Sequence, residues 1–207
     1  MTKKILWIVI VILAIMIGCY PSIYFIIDRK FGLLSSKDNS ILDSLLWNSA
    51  FYIHIILGGV ALLVGWVQFS AKLRKRYLHI HRITGKIYVI CVILSAVTGL
   101  YIAYYATGGV IAKAGFMGLS IVWFYTTLQG YLTVIKGKIS AHQEWMIYSY
   151  AACLAAVTLR IWLPLLVIML HGFIAGYQVV AWLCWVPNLI VAFLIVRQKR
   201  FNLPVDA

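Results

Sequence analysis

Four side chains in this sequence are chemically out of place among their neighbours. They are His54, His81, His142 and Arg160, each set in or beside a long apolar run. Imidazole can ligate a metal or relay a proton, and a guanidinium can hold an anionic oxygen. The spacing limits what they can do together. Residues at steps of 3, 4, 7, 11, 14 and 18 share a helix face. On that count one seam reads His54, Gly58, Ala61, Gly65, Gln68. A second reads His81, Gly85, Tyr88, Ser95, Gly99. A third reads His142, Trp145, Ser149, Cys153, Ala156, Arg160.

These seams lie in elements that the composition defines. Of 207 residues, 64% are hydrophobic and only 11% are charged. An ordinary soluble domain is roughly 45–50% apolar and about a quarter charged. A chain this size cannot hide so much apolar surface in a soluble core. The composition therefore predicts an all-α polytopic membrane protein, a single domain over residues 1–207. A spanning helix needs ~20 apolar residues. Six stretches qualify, at about 5–27, 48–70, 84–106, 115–136, 143–168 and 174–196. The small-polar seams place spans two to five in a central four-helix bundle, with spans one and six peripheral and more lipid-like. A weaker seam on span four runs through Gly115, Gly118, Ser120, Trp123, Thr126, Gln129 and Gly130.

The net charge of +13 would suggest nucleic acid in a soluble protein. Here its placement sets orientation instead. Thirteen Lys and Arg residues fall at one end of the bundle: Lys3, Lys4, six between Lys72 and Lys86, Lys136, Lys138, Arg197, Lys199 and Arg200. The other end has Arg29, Lys30, Lys37 and Lys113, offset by Asp28, Asp38 and Asp43. The positive-inside rule then places both termini in the cytoplasm. The first span is too long for a signal-peptide core and reads as an uncleaved helix. No Walker A or GxGxxG pattern is present, so nucleotide-driven chemistry is not expected. No CxxC pair occurs, and Cys19, Cys91, Cys153 and Cys184 read as small buried hydrophobes.

Depth sorts the chemistry into two sites. His54 lies roughly 9–10 Å below the outer surface at ~1.5 Å per residue. Arg160 is eighteen residues beyond His142, so it rises roughly 27 Å to the level of His54. One expected site is outer: His54 and Arg160, with Gly58 and Gly59 giving room. Tyr101, Tyr104 and Tyr105 could form its rim, and carbonyls freed by Pro164 could partner Arg160. The other is inner: His81 and His142, with Arg82 and Gly85. The three histidines cannot share one zinc, because zinc–nitrogen bonds are ~2 Å. Paired-carboxylate catalysis is excluded, since Glu144 is the sole acid close to a span, and no catalytic residue is assigned.

The outer pair suits a small anionic, lipid-like or quinone-like ligand. The inner pair could instead ligate haem b, with Arg82 and Lys86 meeting its propionates. A third reading is an interfacial metal held by His79, His81, His142 and Glu144, which requires residues 79–81 to be extended. Ser140-x-x-Gln143 has capping-box spacing and would start span five at Ala141.

The segments Phe51–Ile55, Gly58–Leu63, Leu78–Tyr88, Ala141–Met146 and Thr158–Pro164 together resemble a family of bacterial membrane proteins called domain of unknown function 2306. The resemblance covers roughly residues 48–170 and implies a bacterial cell-membrane protein without an established activity. Its recurring positions match His54, His81, Arg82, Gly85, His142, Trp145, Met146 and Arg160. Gln143-Glu144 departs from the more basic pair of the family. A looser similarity is to cytochrome b561-type six-helix proteins, whose four central helices carry histidines for two haems. Span four has no histidine here, so at most the pair His81 and His142 mirrors that pattern. His171 is the one candidate outer partner for His54.

Overall fold

The computed structural model describes residues 2–27 and 32–201. Asp28, Arg29 and Lys30, which enter the charge count above, lie outside the described residues, as does the side chain of Lys3. Among the described residues there is no strand. The helices are α1 (Thr2–Cys19), α2 (Asn39–Leu42), α3 (Leu45–Gly65), α4 (Ala71–Arg76), α5 (Leu78–Tyr104), α6 (Gly109–Ile135), α7 (Ile139–Cys153), α8 (Ala155–Met169), α9 (Phe173–Leu183) and α10 (Val186–Phe201). Six stretches are long and apolar enough to cross a membrane: Lys4–Phe25, Leu45–Phe69, Leu78–Tyr104, Gly109–Ile135, Ile139–Met169 and Phe173–Arg200. The third begins six residues before the apolar run at 84. Its extra turn and a half carries His79, His81 and Arg82, polar groups suited to the headgroup zone.

Packing follows the small-residue seams. In α3, Gly58 faces Ser95 of α5, where a Cβ would come within 3.2 Å of its Oγ. Gly65 faces two tyrosines, and a Cβ there would lie 2.4 Å from the Tyr150 ring and 3.0 Å from that of Tyr88. Gly130 of α6 receives Met146 of α7 in the same way, at 2.6 Å from its Sδ. Close approach of this kind replaces the hydrophobic drive that lipid removes. Spans two to five thus form the central group, and span one lies outside against span two.

Span six departs from the lipid-like expectation, being as buried as span two. Val180, Ala181, Cys184 and Ala192 are sealed in its packed face. The reason lies in span four, whose Gly115 abuts the Ala181 carbonyl, 2.8 Å from where a Cβ would stand. The glycine end of span four therefore receives span six. Cys91, Cys153 and Cys184 are buried as expected, but Cys19 is exposed, on the outward side of the thinly covered first span.

Spans five and six are each broken in the middle. α7 passes to α8 through Leu154, and α9 to α10 through Cys184 and Trp185. Pro187 in the first turn of α10 explains the second break, because it has no N–H to continue the helix. The breaks lie side by side and share their hydrogen bonds. Asn188 Nδ2 donates to Ala151 O at 3.2 Å and to Cys184 O at 3.0 Å, and Thr158 Oγ1 also donates to Cys184 O. Backbone groups freed at membrane depth are in this way satisfied inside the protein.

Candidate functional site

Toward the basic end of the bundle, side chains of α5, α6 and α7 meet. Where they meet, Tyr88 OH lies 2.8 Å from Ser149 Oγ, which lies 2.7 Å from Thr127 Oγ1 of α6. The Thr127 hydroxyl donates onward to Trp123 O at 2.7 Å. Above this floor opens a cavity of about 650 Å³. Its deep walls are apolar and aromatic, including Tyr88, Val89, Tyr150, Met146 and Ile147. Its polar side chains include His81, Arg82 and Lys86 from α5, His142 and Gln143 from α7, Gln68, Arg74, and Lys199 from α10, and Gly85 of α5 also lines it.

The structure brings together all four residues of the inner set, His81, Arg82, Gly85 and His142. Gly85 leaves room beside Gln68, whose Oε1 would sit 3.5 Å from an added Cβ. Arg82 and Lys86 are exposed at the rim, whereas both histidines are half-buried. His142 Nδ1 donates to Gly130 O at 2.7 Å. That bond fixes the tautomer of the neutral ring and leaves its lone pair on Nε2. His81 Nδ1 and Gln68 Oε1 are buried with no hydrogen-bond partner. Buried polar atoms without partners are rare and point to groups outside the protein.

Among the described residues, no carboxylate lines the cavity. Glu144 is turned away and held by Arg200, whose Nε donates to Oε1 at 2.8 Å and whose Nη2 donates to Oε2. The neighbouring Lys199 donates to Gln143 Oε1. Gln143 is thereby engaged with α10, and the capping box does not form: α7 starts at Ile139 with no side-chain cap. The interfacial metal reading is also corrected. Residues 78–81 are helical, so His79 and His81 diverge, and His79 is exposed outside the cavity. Among the described residues, no cluster of three or more metal-ligating side chains exists.

Sequence reasoning missed Lys199, Gln68 and Arg74. Arg74 Nη1 donates to Gln68 O at 3.1 Å, so a short helix between spans closes one side of the cavity. Lys199 reaches the cavity because the sixth span returns its end to the start of the fifth. Only the even span count could have signalled that neighbour.

The expected outer pair lies at the opposite end of the bundle. His54 Nδ1 donates to Ser95 O at 2.8 Å, and Ser95 Oγ returns a bond to His54 O at 2.9 Å. The ring rests on Gly99, where a Cβ would come within 2.8 Å of Nδ1. Arg160 turns into the bundle, with its guanidinium 4.3 Å from the centre of the Tyr20 ring. Its Nη1 donates to Ala156 O at 2.8 Å, one turn back on α8, rather than to a carbonyl freed by Pro164.

The two glycines assigned to this site part company. Gly58 faces Ser95, but Gly59 is the contact for span one, 2.6 Å from Gly18 O to a built Cβ. Tyr101 and Tyr105 join an aromatic cluster with Tyr24, Trp47 and Phe51 above the site. His171 is exposed in the left-handed turn that ends α8, at φ 49°, and contributes nothing to His54.

Comparison with curated proteins and with solved structures finds no match. The family of predicted membrane proteins DUF2306 matches residues 51–196, which hold both histidine sites and Arg160, and the chain belongs to that family.

Proposed function

We propose that this protein binds an amphipathic anion in the cavity at its basic end. One observation carries the reading: the cavity combines an apolar interior with Arg74, Arg82, Lys86 and Lys199 and, among the described residues, no carboxylate. Cations without acids favour a phosphate or carboxylate head, and the apolar walls favour a hydrocarbon body. The sequence placed such a ligand at the His54–Arg160 pair; the room and the charge favour the His81–His142 end. The charge asymmetry of the loops supports a position for that end at the cytoplasmic leaflet. There, Arg82 and Lys86 at the rim meet a ligand arriving from the lipid.

The test is native mass spectrometry of the purified protein with phosphatidic acid and with a neutral lipid of equal chain length. Selective retention of the acidic lipid, lost in an Arg82→Gln/Lys86→Gln variant, supports the proposal. Equal retention of both lipids rejects it.

A narrower reading is favoured by the His142–Gly130 bond. Haem b is itself an amphipathic dianion, and it supplies one-electron chemistry when bound. His142 Nε2 and the imidazole of His81 would hold it, with Arg82 and Lys86 toward its propionates. A Soret band in protein from haem-replete cells, lost in His142→Ala, supports this reading. A featureless visible spectrum rejects it and leaves the lipid experiment to decide the broader one.

A further inference from the structure

We propose that the ligand of the basic-end cavity carries hydroxyl groups beside its anionic phosphate, the chemistry of a glycerol phosphate diester. This deepens the reading of the cavity as a site for an amphipathic anion and rests on that reading. It starts from two acceptors that an anion cannot satisfy.

The first is the side-chain carbonyl of Gln68, at the end of span two. Thr84 of α5 decides which end of that amide is oxygen. The Thr84 hydroxyl has one hydrogen, and it goes to a backbone carbonyl of the preceding turn, Ile80 O at 2.7 Å. Its oxygen is left to accept, so the amide group that meets it is the donor, Gln68 Nε2. Oε1 then lies on the other side of the amide, buried and with no hydrogen-bond partner. It sits beside Gly85, 3.5 Å from where a Cβ would stand, and Gln68 and Gly85 both line the cavity. Arg74 Nη1 holds the backbone carbonyl of the same glutamine at 3.1 Å, so Gln68 is tethered at main chain and side chain alike. The second acceptor is His142. Its Nδ1 proton is spent on Gly130 O, so Nε2 of the neutral ring accepts, and His142 lines the same cavity.

These acceptors stand among the cations Arg74, Arg82, Lys86 and Lys199. A phosphate diester offers lone pairs alone and answers only the cations. A hydrocarbon chain answers neither. An ammonium head brings donors, but four cations with no carboxylate among the described residues repel it. Hydroxyls remain. They are neutral donors that pair with Oε1 and Nε2 while the phosphate meets the cations. Leaving a buried acceptor unpaired is costly, so a head that supplies the hydrogen is favoured over one of equal charge that does not.

The experiment is native mass spectrometry of the full chain in detergent with three lipids of equal acyl chains. Phosphatidylglycerol has the charge and the hydroxyls. Phosphatidylpropanol has the same charge and carbon count without hydroxyls. Phosphatidylethanolamine has N–H donors without net charge. Phosphatidylglycerol is expected to be retained about tenfold over phosphatidylpropanol, the worth of one or two hydrogen bonds. Gln68→Leu should cut that ratio to about threefold or less. Thermal melting checks the fold of the variant, and if it does not fold the comparison on the unaltered protein decides. Equal retention of phosphatidylglycerol and phosphatidylpropanol, both above phosphatidylethanolamine, overturns this proposal and leaves the anion reading standing. Retention of phosphatidylethanolamine equal to that of phosphatidylglycerol overturns the anion reading and this proposal with it. An unchanged ratio in folded Gln68→Leu protein places the hydroxyls elsewhere and also overturns the proposal. Free glycerol 3-phosphate in excess separates two sources of the same head chemistry. Displacement of phosphatidylglycerol supports a soluble ester, and no displacement supports the lipid, which the apolar walls favour.

Discussion

The Nδ1–H of His142 is held by the carbonyl of Gly130, 2.7 Å away on the neighbouring helix. The same glycine takes the thioether of Met146 against its bare Cα. One residue of α6 therefore sets both the helix spacing and the ring orientation at the cavity.

Gly130→Ala should show this double role. A methyl at 2.6 Å from Met146 Sδ must displace that side chain, which lines the cavity. Overpacking of this kind costs about 1–3 kcal/mol. A lowered melting temperature together with weaker acidic-lipid retention is expected. A variant that melts and binds like the parent refutes the role.

Ser149 joins Tyr88 and Thr127 in a buried hydroxyl chain. Ser149→Ala strips a partner from two hydroxyls, whereas Tyr88→Phe strips one from Ser149, which keeps Thr127. Ser149→Ala should cost about 1–2 kcal/mol and more than Tyr88→Phe. Thermal unfolding in detergent ranks the two, and the reverse order contradicts the chain as described.

Lys37 lies between spans one and two and donates to Tyr105 O and, at 3.1 Å, to Thr107 Oγ1. Burial first, and then the charge of Lys113, push its amine down from 10.5 to about 8. The sign follows from linkage. The unfolded chain holds the Lys37 proton more tightly, so the charged amine opposes folding below pH 8. That cost is relieved as pH rises from about 8 toward 10.5. Acylation of Lys37, followed by peptide mass spectrometry, should reach half its limiting rate near pH 8. A midpoint above 10 contradicts the burial.

Six spans with a basic end predict opposite sides for two loops. Reporter fusions after Lys37 and after Lys138 should read outside and inside respectively. The reversed pattern would invert the orientation proposed above.

Much of this was legible in the residues. Apolar runs and loop charges mark the six spans, because lipid imposes length and hydropathy on each one separately. The 3.6-residue seams also place Gly58, Gly65, Ser95 and Ser149 on inward faces, since small and polar groups in a span must pack. The cavity was less legible. His81 and His142 were paired by depth, but Lys199 and Arg74 arrive through tertiary topology that no local period encodes. Gly59, five residues after His54, lies off the seam that holds Gly58, and it faces span one instead. The break at Leu154 carries neither Gly nor Pro. The carbonyl it frees on Ala151 is taken up by Asn188, thirty-four residues beyond Leu154 on another span.

The paired breaks give the bundle a mechanical consequence. Below them, α7 and α10 travel together, joined by Lys199–Gln143 and Arg200–Glu144, and carry His142. Beyond them, α8 and α9 travel together, with Gly176 seated on the backbone of Val167, and carry Arg160. Spans five and six are thus two stacked levers on a common pivot at Asn188 and Thr158. Backbone hydrogen bonds cross both breaks as well, from Leu154 to Tyr150 and from Leu189 to Trp185, so the halves are joined there by main chain and by the Asn188 amide together.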